Sequence, residues 1–170
     1  TLFRSVTTQS GQGSRAISID LSAPTQAQVL QSMQFPNASK EIQVTHDAIF
    51  VAAEISNSSP AATDVSYISI DGSGTMKMRG SIEVAGRPQG RFHMSLHDAS
   101  FRIVTYDPHK RHSNLHVIDV SEPDKLQITG KLLGIAPGEK LYATRFDGKT
   151  AYVVTFRRTD PLWIISLQDA

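Results

Sequence analysis

Five of the six histidines fall in one short stretch, at His93, His97, His109, His112 and His116. Imidazole is the side chain best suited to moving protons or binding a transition metal near neutral pH. The spacing supports neither use. His109, His112 and His116 match no zinc-box pattern, and the intervening Lys110 and Arg111 would oppose a bound cation. His93 and His97 lie four apart in an extended run and its turn, so one strand face could present both only with a bend. His46-Asp47 and His97-Asp98 have the composition of an acid–base dyad. Both read as the same hairpin turn used twice.

Other chemistries lack their parts. The stretch GSGTMKMRG at 72–80 has no Lys-Ser/Thr pair and no helix after it, so it is not a phosphate loop. No Gly-x-Ser-x-Gly elbow is present. Asp71 opens a Gly-Ser-Gly-Thr turn that offers too few ligands for calcium. There is no cysteine, which removes thiolate catalysis and thiolate metal sites. No catalytic residue, no metal site and no cofactor are expected.

The elements that carry these residues repeat. The pattern of two apolar residues, an acid and a turn occurs at ISIDLSAPTQ (17–26), ISIDGSGT (68–75) and HVIDVSEPDK (116–125). LWIISLQDA (162–170) is a weaker copy, with Ser166 in the acid's place. Asp20, Asp71, Asp119 and Ser166 are therefore spaced by 51, 48 and 47 residues. A second pattern starts at His46, His97 and Phe146, with turn acids Asp47, Asp98 and Asp147 spaced by 51 and 49. Two patterns with one period of the size of a β-propeller blade predict an all-β propeller.

Each copy holds four alternating runs rich in Tyr, Phe, Val, Ile and Thr, here lettered strands a to d from the inside outward. The third copy reads 90–97, 100–106, 114–120 and 126–133. The expected organisation is a partial blade at 1–36, whole blades at 40–85 and 90–135, and a partial blade at 139–170. Two whole blades between two partial ones make an incomplete ring, because closure takes roughly four to eight blades. Open blade edges invite association, so the chain is expected to be a piece of a longer protein or to close a ring as a homodimer. Trp163, beside Leu162, Ile164 and Ile165, is read as core, with an exposed edge aromatic as the alternative.

The frame sorts the charges. In a propeller the b–c and d–a loops share one face. That face collects Arg15, Lys40, Arg87, Lys110, Arg111, Lys140, Arg157 and Arg158 against Asp64, Asp107, Glu139 and Asp160. The opposite face collects Asp20, Asp47, Asp71, Asp98, Asp119, Glu122, Asp124, Asp147 and Asp169 against Lys125 and Lys149. Two oppositely charged faces would hide within a net charge of +1. Asp is also a favoured turn residue, which accounts for the acidic face without any function.

Composition sets the remaining bounds. The chain has 39% hydrophobic and 19% charged residues, a globular balance, and no run approaches the ~20 apolar residues of a membrane helix. The near-neutral charge gives no global pull toward nucleic acid. The lack of cysteine fits an oxidising compartment.

Residues 135–170 carry a dense, ordered set of motifs: Pro137-Gly138-Glu139-Lys140-Leu141-Tyr142, Arg145-Phe146-Asp147-Gly148, Val154-Thr155-Phe156-Arg157 and Asp160-Pro161-Leu162. This segment resembles the bacterial and archaeal secreted proteins with a C-terminal β-propeller distantly related to WD repeats. The hairpin at 114–133 resembles the short LVIVD repeats of bacterial surface proteins. The resemblance implies a secreted, periplasmic or cell-surface propeller and supplies no activity. The expected function is a non-catalytic binding or scaffold module. Its basic face, with Lys110, Arg111, Arg157, Arg158, Arg87 and Lys140, would meet a protein or an acidic glycan. The alternative is part of a secreted enzyme whose site is completed by missing blades or a second chain, with His93, His97 or His109 converging on a carboxylate.

Overall fold

The computed structural model describes residues 2–7, 14–35, 40–156 and 162–168, and all structural statements below concern these. They form four antiparallel sheets in chain order. The first is β1 (Leu2–Thr7), β2 (Ser14–Asp20) and β3 (Gln28–Phe35). The second is β4 (Lys40–Val44), β5 (Ala48–Glu54), β6 (Ala62–Ile70) and β7 (Met76–Ala85). The third is β8 (Met94–His97), β9 (Ser100–Asp107), β10 (His112–Asp119) and β11 (Gln127–Ile135). The fourth is β12 (Lys140–Asp147), β13 (Thr150–Phe156) and β14 (Leu162–Ser166). Each strand pairs with its sequence neighbour, the up-and-down order of a propeller blade. No described helix is long and apolar enough to cross a membrane.

The sheets stack face to face, and this explains their sequences. β9 is buried on both faces along nearly its whole length, so SFRIVTYD reads as a continuous run and not as an alternation. Phe101 and Ile103 point into the core shared with the second sheet, whereas Val104 and Tyr106 point into the core shared with the fourth. Ile49 and Val51 pack with Phe35 of the first sheet, and Phe50 and Ala52 turn the other way. Phe50 stacks on Phe101 with ring centroids 4.0 Å apart and planes 13° apart. Burying such a side chain is worth roughly 1.5–3 kcal/mol, so each junction between sheets is a small core of its own. The outermost strands β3 and β11 are mostly exposed, and β7 is largely exposed or half-buried.

The repeated acid has a structural task. Asp20, Asp71 and Asp119 each accept the backbone amide two residues on, from Ser22 at 2.8 Å, Ser73 at 2.9 Å and Ser121 at 2.9 Å. The Ser166 hydroxyl accepts the Gln168 amide at 3.4 Å in the fourth sheet. These are Asx-type turns that carry the chain from strand c to strand d. The amides and hydroxyls that they bind hold all three carboxyls below their ordinary pKa.

Three local expectations need correction. Strand a of the third sheet covers only Met94–His97, because Arg91–His93 form a 3-10 turn in which the His93 amide bonds the Gly90 carbonyl at 3.1 Å. The His-Asp pairs sit in corresponding a–b turns but out of step by one residue. His46-Asp47 fill one turn between Thr45 and Ala48, whereas Asp98-Ala99 fill the next, between His97 and Ser100. Trp163 is 43% exposed on β14, whose only strand partner among the described residues is β13.

Candidate functional site

The loops after strands b and d do share a face, and backbone bonds tie them together. The Gly86 amide bonds the Ala61 carbonyl at 2.7 Å. Arg87 and Tyr106 exchange two backbone hydrogen bonds, at 2.9 and 2.8 Å. The Gly138 amide bonds the Arg111 carbonyl at 2.6 Å.

The hairpin loop at 108–111 is built by Asp107. Its Oδ1 accepts the amides of His109 at 2.9 Å and Lys110 at 3.1 Å. Burial is the largest influence and works against this carboxylate, but those two amides together with the charges at His112 and Lys110 outweigh it and leave Asp107 below its usual pKa. Arg111 completes the loop in the left-handed region, at φ 53°. Its Nη2 donates to the Gly138 carbonyl at 3.3 Å. The adjoining turn, Ala136-Pro137-Gly138-Glu139, leads directly into Lys140. Lys110, Arg111 and Lys140 are all exposed.

Arg87 is different. It lies on the same face but pairs with Glu54 at 3.0 Å, and both side chains are about two-thirds covered. Glu54, at the end of β5, adds an acid to this face that the strand-by-strand charge count leaves out. Arg157 and Arg158 lie outside the described residues.

The face also shows aromatic surface. Phe92, Tyr142 and Phe156 are 71%, 75% and 71% exposed. Phe92 lies in the d–a connection, with the Arg91 guanidinium 4.9 Å from its ring centre. Tyr142 sits where the β12–β13 pairing skips a residue, a bulge that re-aims its side chain. Phe156 ends β13 opposite Lys140. Cations and exposed aromatics are the residue types enriched where proteins bind partners. The sequence pattern gave no sign of these rings, since Phe and Tyr in a strand normally read as core.

The histidines do not come together. His93 is buried and bonds Thr144 Oγ1 through Nδ1 at 2.8 Å. His116 is buried and bonds the Ala85 carbonyl through Nε2 at 3.3 Å. Burial pushes both below the ordinary imidazole pKa. His97 lies on the opposite face, 3.7 Å from its neighbour Asp98, and His109 is exposed on the basic loop. Of the three histidines that an enzymatic reading would pair with a carboxylate, His97 lies 3.7 Å from Asp98 in a cleft on the opposite face, His93 bonds a hydroxyl, and His109 is exposed. No described cluster of three His, Asp or Glu is placed to hold a metal ion.

Known proteins share this sequence pattern. A 94-residue stretch, 55% of the chain, is 33% identical to an uncharacterised protein of Archaeoglobus fulgidus. A 92-residue stretch is 34% identical to an uncharacterised protein of Methanocaldococcus jannaschii. The chain spans only 14% of the length of each relative. The family model of the β-propeller domain matches residues 4–170, so the chain belongs to the β-propeller domain family.

Proposed function

We propose that this propeller is a binding module that presents its b–c and d–a loop face to an acidic partner, an acidic glycan or an acidic protein segment. The observation that carries the reading is the two-loop platform around Arg111 and Gly138. It fixes Lys110, Arg111 and Lys140 on one face with the exposed rings of Tyr142 and Phe156 close in sequence and pairing. Fixed cations steer an anionic partner, and flat rings supply contact area at low entropic cost. Arg157 and Arg158 follow Phe156 in the sequence and are assigned to this face by the repeat frame alone.

The cysteine-free composition supports a secreted, periplasmic or cell-surface setting. The exposed Leu162, Trp163 and Ile164 on β14, which has one partner strand among the described residues, support a homodimer in which two chains close one ring. Light scattering on the purified chain tests that part: a dimer mass supports ring closure by two copies, and a monomer mass contradicts it. The binding reading is tested with two anionic polymers, polygalacturonate and poly-glutamate, at low and high salt. Saturable binding that weakens with salt supports it, and the polymer bound more tightly distinguishes glycan from protein.

A further inference from the structure

On the opposite face, between the third and fourth sheets, Arg102 is only 4% exposed. Its Nη1 donates to the Gly148 carbonyl, and its Nη2 donates to Ser95 Oγ at 2.7 Å. Its guanidinium carbon lies 4.8 Å from the ring centre of Phe146. Both acceptors are neutral. No described Asp or Glu forms an ion pair with Arg102, and its Nε has no partner. Asp98 acts on Arg102 from beyond ion-pair distance and does not offset the burial, so the cation is only partly matched by an anion, which is costly.

The repeat shows that the fold itself does not ask for this charge. Counting from the first residue after each a–b turn, Ala48 and Ser100 correspond, and the third residue of each strand is Phe50 and Arg102. Phe50 faces the next sheet and is fully buried there on Phe101. Arg102 faces the next sheet in the same way. One junction fills the position with a hydrocarbon ring and the other fills it with a cation.

Arg102 lines a cleft of about 160 Å³, together with Lys149, Ser100 and the imidazole of His97, above an apolar patch of Val117 and Leu167. Asp98 is the one acid lining it. Arg102 and Lys149 against Asp98 leave the cleft's permanent charges at a single net positive, which suits a monoanion better than a doubly charged phosphate. At roughly 30 Å³ per water the cleft has room for about five waters, or for one small organic ion. The guanidinium fork matches a carboxylate, and Val117 and Leu167 match a short aliphatic tail. We propose that this cleft, where Arg102 replaces the aromatic of the sister junction, is a binding site for a small aliphatic monocarboxylate. It lies on the opposite face from the loops proposed for the acidic partner and is independent of them.

The test is an NMR titration of the whole chain with sodium butyrate, following the amides of Ser100, Lys149 and Leu167. The expected result is saturable shifts, with a dissociation constant on the order of millimolar for so small a ligand. Butyramide and inorganic phosphate should produce none. Lys149→Ala, an exposed position, should weaken butyrate roughly three-fold, and Arg102→Leu should abolish binding. If Arg102→Leu does not fold, the Lys149→Ala and butyramide comparisons decide alone. The proposal is overturned by an absence of saturable shifts or by equal binding of butyramide or phosphate.

Discussion

Arg111 and Gly138 hold each other through both of their carbonyls. The Arg111 carbonyl accepts the Gly138 amide at 2.6 Å, and the Arg111 guanidinium reaches the Gly138 carbonyl at 3.3 Å. A hairpin loop of the third sheet is thereby fastened to the loop that enters the fourth. The platform that displays Lys110 and Lys140 depends on this fastening.

Gly138 sits at φ 84°, a conformation that an L side chain resists. Gly138→Ala should destabilise the chain by about 1–2 kcal/mol, read from urea unfolding, and weaken anionic-polymer binding beyond what stability explains. An unchanged unfolding midpoint together with unchanged binding would show that the two loops need no such fastening.

Arg87 and Glu54 neutralise each other on the same face. Arg87→Ala should therefore leave polymer binding nearly as it was, whereas Lys110→Glu weakens it markedly. A double-mutant cycle on Arg87 and Glu54 should return a coupling of roughly 0.5–1 kcal/mol. If Arg87→Ala weakens binding as much as Lys110→Glu does, Arg87 belongs to the contact surface and its pairing is broken on binding.

His93 and His116 give the fold a pH signature. Burial lowers both below the ordinary value of 6.5, and for His116 the nearby Lys131 acts in the same direction while the Ala85 carbonyl opposes it. The unfolded chain therefore takes up protons first as pH falls. The stabilisation is complete above about pH 6.5 and is lost as pH falls toward the folded values. Urea midpoints measured between about pH 7.5 and 5.5 should decline, and His116→Gln should decline less. Equal slopes for the two proteins would mean that His116 titrates freely in the folded state.

Much of the architecture was legible because the turns repeat with their chemistry. Asp20, Asp71 and Asp119 mark the c–d turns by binding the amide two residues on, and Ser166 marks the fourth with its hydroxyl, so substitution of the acid did not hide the copy. The face that carries Lys110, Arg111 and Lys140 followed from strand order alone. Contacts between loops and between sheets were not legible. Glu54 meets Arg87 across the loops of the second sheet, a pairing that neither residue's local sequence announces. The shared His-Asp dipeptide concealed a one-residue offset between two turns, and with it the correspondence of Phe50 and Arg102. Arg102 in SFRIVTYD resembles an outward cation, and only the neighbouring sheet buries it. Trp163 resembles core because its strand is apolar, and its exposure follows from β14 having one described partner strand.

The most direct test of the account is the binding of polygalacturonate and poly-glutamate by the wild-type chain and by a Lys110→Glu/Lys140→Glu double variant, with unfolding midpoints measured in parallel. The account predicts that the wild type binds at least one polymer with an affinity that falls steeply with added salt. The double variant should lose that binding while its midpoint stays within about 0.5 kcal/mol of wild type, as expected for exposed side chains. Equal binding by the two proteins, or no binding of either polymer at low salt, would contradict the assignment of this loop face as the binding surface.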